Sequence, residues 1–111
     1  MRNRNTQAQQ YIEYVRTSVL KFYNCDYKTF KTLSETELFY RVLKVQPQTK
    51  KVICKAFDLN IDSMCRRKRM FEINGKLQQS RKKVVCEFTG EYAHLLTTNT
   101  FLFNSKYFGY E

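Results

Sequence analysis

From Thr6 to Tyr23 the apolar residues Ile12, Val15, Val19 and Phe22 recur in steps of three and four, with Glu13, Arg16 and Lys21 mostly between them. That spacing predicts an amphipathic first helix over residues 6–23, with Thr6 as its N-cap. Asn24 and Asp26 interrupt the pattern, and the stretch from Asn24 to Ser34 reads as a connector that folds back through Tyr27 and Phe30. Ser34 followed three residues later by Glu37 fits a capping box, and Leu38, Phe39, Val42 and Leu43 make the stripe of a second helix. Pro47, the only proline, is expected to start the next helix, because its missing N–H costs nothing in a first turn. Val52, Ile53, Ala56 and Phe57 predict a short third helix, and Asp58-Leu59-Asn60 a tight break after it.

A fourth helix is expected over residues 62–74, opened by Asp62 or Ser63 and closed by Asn74-Gly75. Met64, Phe71 and the alkyl stem of Lys68 fall on one side, which should pack inward. The stripe is thin, so Cys65 or the stem of Arg67 is expected to help cover the core. Two short helices joined by about three residues form a helix-turn-helix pattern. After Gly75 the period changes from 3.6 to 2: residues 76–88 alternate, Thr89-Gly90 is a turn signal, and residues 91–99 are β-rich. Arg81-Lys82-Lys83 is either a second turn, giving a three-strand meander, or part of one long hairpin arm. The pattern leaves both open. The tail, residues 99–111, carries Phe101, Phe103, Tyr107, Phe108 and Tyr110 and should dock on its own domain or on a partner subunit. The fold class read from this pattern is mainly α with a small antiparallel β wing, in one domain over 1–111.

Composition narrows the class. Plentiful aliphatic and aromatic residues, no Trp and few Gly or Pro point to a folded domain anchored on Tyr and Phe. The cysteines at 25, 54, 65 and 86 have neither the spacing of a zinc knuckle nor the density of a secreted disulfide framework, so reduced, mostly buried thiols are expected. The N-terminal stretch has no apolar run of signal-peptide length and no segment approaches a membrane span, which leads to an expected cytoplasmic location without membrane contact.

Charge is the most informative feature. The formal net charge is +10, and between Arg41 and Lys83 there are thirteen Lys and Arg against three acids, while seven of each sign lie outside. The whole excess sits in one block, as in a polyanion-binding surface, although a solvated basic face would also look so. Catalysis is not expected. His94 is the only histidine, no paired carboxylates or phosphate loop are visible, and no pairing of His94 with Cys65 or Cys86 follows from spacing. No metal and no small-molecule cofactor are implied.

The order helix, helix, short turn, helix, Gly, basic hairpin resembles the winged helix-turn-helix family. Residues 34–44, 50–57, 62–74, the Gly75-Lys76-Leu77 exit and the 77–98 hairpin carry the likeness. The run ICKAFDLNIDSMCRRKRMFEINGKL with VCEFTGEYAHLLTTN is similar in flavour to small winged-helix proteins of Bacteroidetes and their phages. The resemblance implies a winged helix-turn-helix over 34–98 with an extra N-terminal helix, acting as a small transcriptional regulator or architectural protein on double-stranded DNA. It implies that the 62–74 helix enters the major groove, with Asp62, Ser63, Arg66 and Arg67 at base edges. Lys50, Lys51, Lys55, Lys68, Arg69 and the wing residues Arg81, Lys82 and Lys83 would meet phosphates, which set affinity without reading sequence. With six to eight engaged, the log–log salt slope would be roughly −5 to −7. The chain departs from the family in its unusually cationic recognition helix, its first helix and its tail. Two alternatives stand beside it: an interaction module or homodimer using the Ile12, Val15, Val19, Phe22 seam, and a binder of RNA or single-stranded DNA through exposed rings.

Overall fold

The structure is a computed structural model and describes residues 4–109. Among these the chain is mainly helical, followed by a small antiparallel β region, as the periodicities predict. Residues 1–3 and 110–111, including Tyr110 of the aromatic tail, lie outside the described residues. No described helix is long and apolar enough to cross a membrane.

Helix α1 (Arg4–Tyr23) starts before Thr6, which therefore lies within the helix and is not its cap. Ala8, Ile12, Val15 and Val19 are buried where α1 packs on the helices that follow. Phe22 is 64% exposed, and the next inward seat belongs to Tyr23. Tyr23 stacks on Phe30 at 5.7 Å and donates its hydroxyl to the Arg41 carbonyl at 2.7 Å, so the phenol enters the core with its polar end paired. The expected seam is therefore corrected: Ile12, Val15 and Val19 are covered by the chain's own core and offer no dimer or docking surface, and Phe22 points elsewhere.

Asn24, in the left-handed region (φ 54°), ends α1, and the Cys25 amide returns to the Leu20 carbonyl at 3.1 Å. The connector then contains a short helix, α2 (Tyr27–Phe30), whose N-cap Asp26 accepts from the Thr29 amide at 2.7 Å. It folds back as expected, with Phe30 buried and Tyr27 lying parallel to Phe57 at 6.1 Å. Helix α3 (Glu35–Val45) buries Leu38, Phe39, Val42 and Leu43. Ser34 caps it by accepting from the Glu37 amide at 3.2 Å, while the Glu37 carboxylate pairs with Arg41 at 2.7 Å.

Pro47 precedes α4 (Lys50–Phe57) rather than starting it; Thr49 is the N-cap. The segment between serves the sheet instead: the Gln48 amide donates to the Leu96 carbonyl at 3.2 Å and the Leu96 amide to the Gln48 carbonyl at 2.9 Å. A proline just outside such a bridge removes a donor the ladder does not use. Asp58 (φ 55°) closes α4, and buried Leu59 pins the turn. Helix α5 (Ile61–Ile73) is capped by Asn60, whose side chain accepts from the Ser63 amide at 2.9 Å, so neither Asp62 nor Ser63 opens it. Gly75 (φ 71°) ends it as the Asn74-Gly75 signal predicts, with the Lys76 amide reaching the Phe71 carbonyl at 2.8 Å.

Strand β1 (Gln78–Gln79) pairs antiparallel with β4 (Leu96–Thr97), and β2 (Val84–Val85) with β3 (Tyr92–Ala93). Nested pairing of this kind is one long hairpin with a kink at residues 80–83, which excludes the three-strand meander. Ser80 makes the kink. Its hydroxyl donates to the Lys82 carbonyl at 2.6 Å and accepts from the Leu95 amide at 3.0 Å, standing in for a ladder bond. After a 3-10 turn at Thr100–Leu102, the tail returns so that Phe108 bridges Ser80 on the side of β1 away from β4. The tail docks on its own domain in part: Phe108 is buried, whereas Phe101 is 94% exposed and Tyr107 is exposed.

Candidate functional site

Helix α4, the turn Asp58-Leu59-Asn60 and helix α5 present the basic block. Met64 and Phe71 of α5 are buried, with Lys68 half-buried beside them and joined to Glu72 at 2.9 Å. At about 100° per residue, the opposite face carries Asp62, Arg66, Arg69 and Ile73, all exposed. Asp62 and Arg66 therefore stand together on the outward face. Ser63 and Arg67 do not share that face centre: Ser63 is half-buried and Arg67 turns to a flank, its Nε buried without a hydrogen-bond partner. Arg69, expected only at a phosphate, is central instead. Its spacing of seven from Asp62 and three from Arg66 was the signal that identifies it. Neither Arg66 nor Arg69 is in an ion pair among the described residues.

The remaining cations divide. Lys50 reaches across from α4 to Cys65, Nζ to Sγ 2.7 Å, tying the start of one helix to the exposed flank of the other. Lys55 is exposed on α4. Lys51 lies 3.7 Å from Glu91 near the hairpin tip, an exposed pair of small energetic worth. Lys82 and Lys83 are exposed in the kink. Arg81 is turned toward the tail, its Nε donating to the Ser105 carbonyl at 3.1 Å and its amide to the Tyr107 carbonyl at 2.8 Å. Exposed apolar side chains also stand on α5: Met70, and Ile73 at 74% exposure.

A cleft of about 300 Å³ lies between the start of α4 and the hairpin, where Lys50, Lys51 and Lys68 meet Cys86, Glu91 and His94. His94 Nδ1 is 2.7 Å from the Ser80 carbonyl, a structural bond to the kink. Burial pushes the Cys86 thiol up, but hydrogen bonds from Thr49 and Thr89 and from the Thr89 and Phe88 amides outweigh it and leave it below the ordinary thiol value. Cys54, buried in α4, is pushed up to about 11 by desolvation. All four thiols are free, but the expectation of burial holds only for Cys54 and Cys86; Cys25 is half-buried and Cys65 is exposed. The described residues contain no group of three or more metal-ligating side chains.

No family model, curated protein or solved structure matches this chain.

Proposed function

We propose that the chain is a winged helix-turn-helix protein that binds double-stranded DNA, with α5 as recognition helix and the β1–β4 hairpin as wing. One observation carries this reading: Arg66 and Arg69 stand exposed on the face of α5 opposite Met64 and Phe71, without an acidic partner among the described residues. Guanidinium groups left unpaired beside a helix-turn-helix bend are suited to bidentate contact with guanine. The Gln48 bridge to β4 and the kinked basic hairpin add to the resemblance that the sequence order suggests.

On this reading Asp62, Arg66 and Arg69 meet base edges, and Ser63 and Arg67 border them. Lys55, Lys82 and Lys83 meet phosphates. Lys50, Lys51, Lys68 and Arg81 already have protein partners and contribute less. The role of a small cytoplasmic regulator goes with this proposal. Selection of bound duplexes from a random pool at moderate salt tests it. The expected result is an enriched motif, with Arg66→Ala costing about 1–3 kcal/mol on that motif and relaxing one position. Absence of salt-dependent retention at low ionic strength overturns it. A second reading, single-stranded nucleic acid, is favoured by the exposed ring of Tyr92 on the wing, since such rings stack on bases. Competition between duplex and single-strand probes separates the two.

A further inference from the structure

Three nucleophilic side chains meet where α4 passes α5. Lys50 and Cys54 stand one turn apart on α4, and both Lys50 and Cys65 of α5 act electrostatically on the Cys54 thiol. The closest approach is between Lys50 Nζ and Cys65 Sγ, at 2.7 Å. Hydrogen bonds from nitrogen to oxygen are usually longer, about 2.9–3.0 Å, although oxygen is the smaller acceptor. Lys50 has no carboxylate partner among the described residues. Cys65 is exposed, so small solutes reach the pair.

A peroxide oxidises an exposed thiol to a sulfenic acid, which then reacts with a nucleophile held beside it. Cys54 is poorly suited to that part: it is buried in α4 with its thiol pushed up to about 11, and a protonated thiol attacks slowly. The Lys50 amine is already in place. The 2.7 Å gap is too wide for a nitrogen–sulfur bond and fits one bridging oxygen. We propose that Lys50 and Cys65 form a modification site, at which a peroxide joins them through a covalent Nζ–O–Sγ bridge. The first peroxide molecule converts the Cys65 thiol to its sulfenic acid and leaves as water. The Lys50 ammonium then releases a proton to solvent, and its nitrogen bonds to the sulfenic oxygen as each of these atoms gives up a hydrogen. A second peroxide takes both hydrogens with their electrons, its O–O bond breaks, and it leaves as two waters. The bridge spans the Asp58-Leu59-Asn60 turn, fixes α4 against α5 and removes the charge of Lys50. Its formation is independent of nucleic-acid binding.

The test is treatment of the folded full chain with excess hydrogen peroxide, followed by proteolysis and mass spectrometry. The expected product is a linked pair of peptides holding Lys50 and Cys65, about 14 Da heavier than the two unmodified peptides together, for one oxygen gained and two hydrogens lost. Unfolding in urea before the peroxide is added should abolish the link, because the contact belongs to the fold. Lys50→Arg keeps the cation but has no primary amine. In that variant the link should disappear and Cys65 should run on to sulfinic and sulfonic acids, about 32 and 48 Da heavier. Cys54→Ala should form the link as the parent chain does. A link about 2 Da lighter than the separate peptides, whether a Cys54–Cys65 disulfide or a direct N–S bond, overturns the proposal. Oxidation of Cys65 in the parent chain without any link overturns it too, as does a link formed equally by the unfolded chain or by Lys50→Arg.

Discussion

Single side chains in this protein differ sharply in access, and the cysteines make that measurable. Cys65 is exposed with the Lys50 ammonium at 2.7 Å, whereas Cys54 and Cys86 are buried. Cation-neighboured, exposed thiols react fastest. Native-state alkylation followed by mass spectrometry is therefore expected to modify Cys65 first, Cys25 next, and Cys54 and Cys86 only on unfolding. The tyrosines give a pH signature. Burial raises the phenols of Tyr11 and Tyr23 above their ordinary value near 10, against the opposing pull of the Gln48 hydrogen bond on one and the Arg41 charge on the other. The unfolded chain then loses each phenolic proton before the folded chain does. Their contribution to stability is whole below about pH 10 and is lost as pH climbs through the folded values. Denaturation midpoints measured across the alkaline range are expected to fall less steeply for Tyr23→Phe than for the parent chain.

At the scale of elements, helix ends carry most of the testable detail. Removing the Asn60 cap by Asn60→Ala is expected to cost about 1 kcal/mol in urea denaturation, because the Ser63 amide loses its acceptor. Gly75→Ala meets no neighbouring atom, so its expected cost of about 1 kcal/mol is the left-handed backbone alone. Much of this level was legible in the chain: the stripes of α3 and α4, the Ser34 cap and the Gly75 stop follow from local chemistry and needed no tertiary information. The start of α5 was not, since Asn60, Asp62 and Ser63 are all good caps and only packing of Leu59 and Ile61 selects among them. The hairpin was half legible. Alternation gives strands but cannot say which strand pairs with which, and the Ser80 hydroxyl that turns a strand into a kink has no sequence signal of its own. The same limit applies to the cations: a run of four points all round a helix, and only the seats of Met64 and Phe71 decide that Arg69 faces outward while Arg67 does not.

At the scale of the whole molecule, the described residues bury the apolar stripe of α1 against their own core. Ile12 is buried among the chain's own residues, so Ile12→Ala is expected to cost roughly 2–5 kcal/mol, and Phe22→Ser to change stability within about 0.5 kcal/mol. Light scattering is expected to find a monomer at micromolar concentration in the absence of nucleic acid. On the proposed duplex-binding reading, with Lys50, Lys51, Lys68 and Arg81 partly engaged inside the protein, about five cations remain, and the salt slope is expected to be roughly −4.5, shallower than the range implied by charge alone. The returning tail adds a further property at this scale. The Gly109 amide donates to the Gln79 carbonyl at 3.1 Å and the Arg81 amide to Tyr107, so β1 has a neighbour on both sides although its sheet is small. Cutting the chain after Phe103 would bare a row of unsatisfied backbone groups, the template on which like molecules stack. The shortened protein should then fold but cluster as its concentration rises, which makes those few residues a guard against self-assembly.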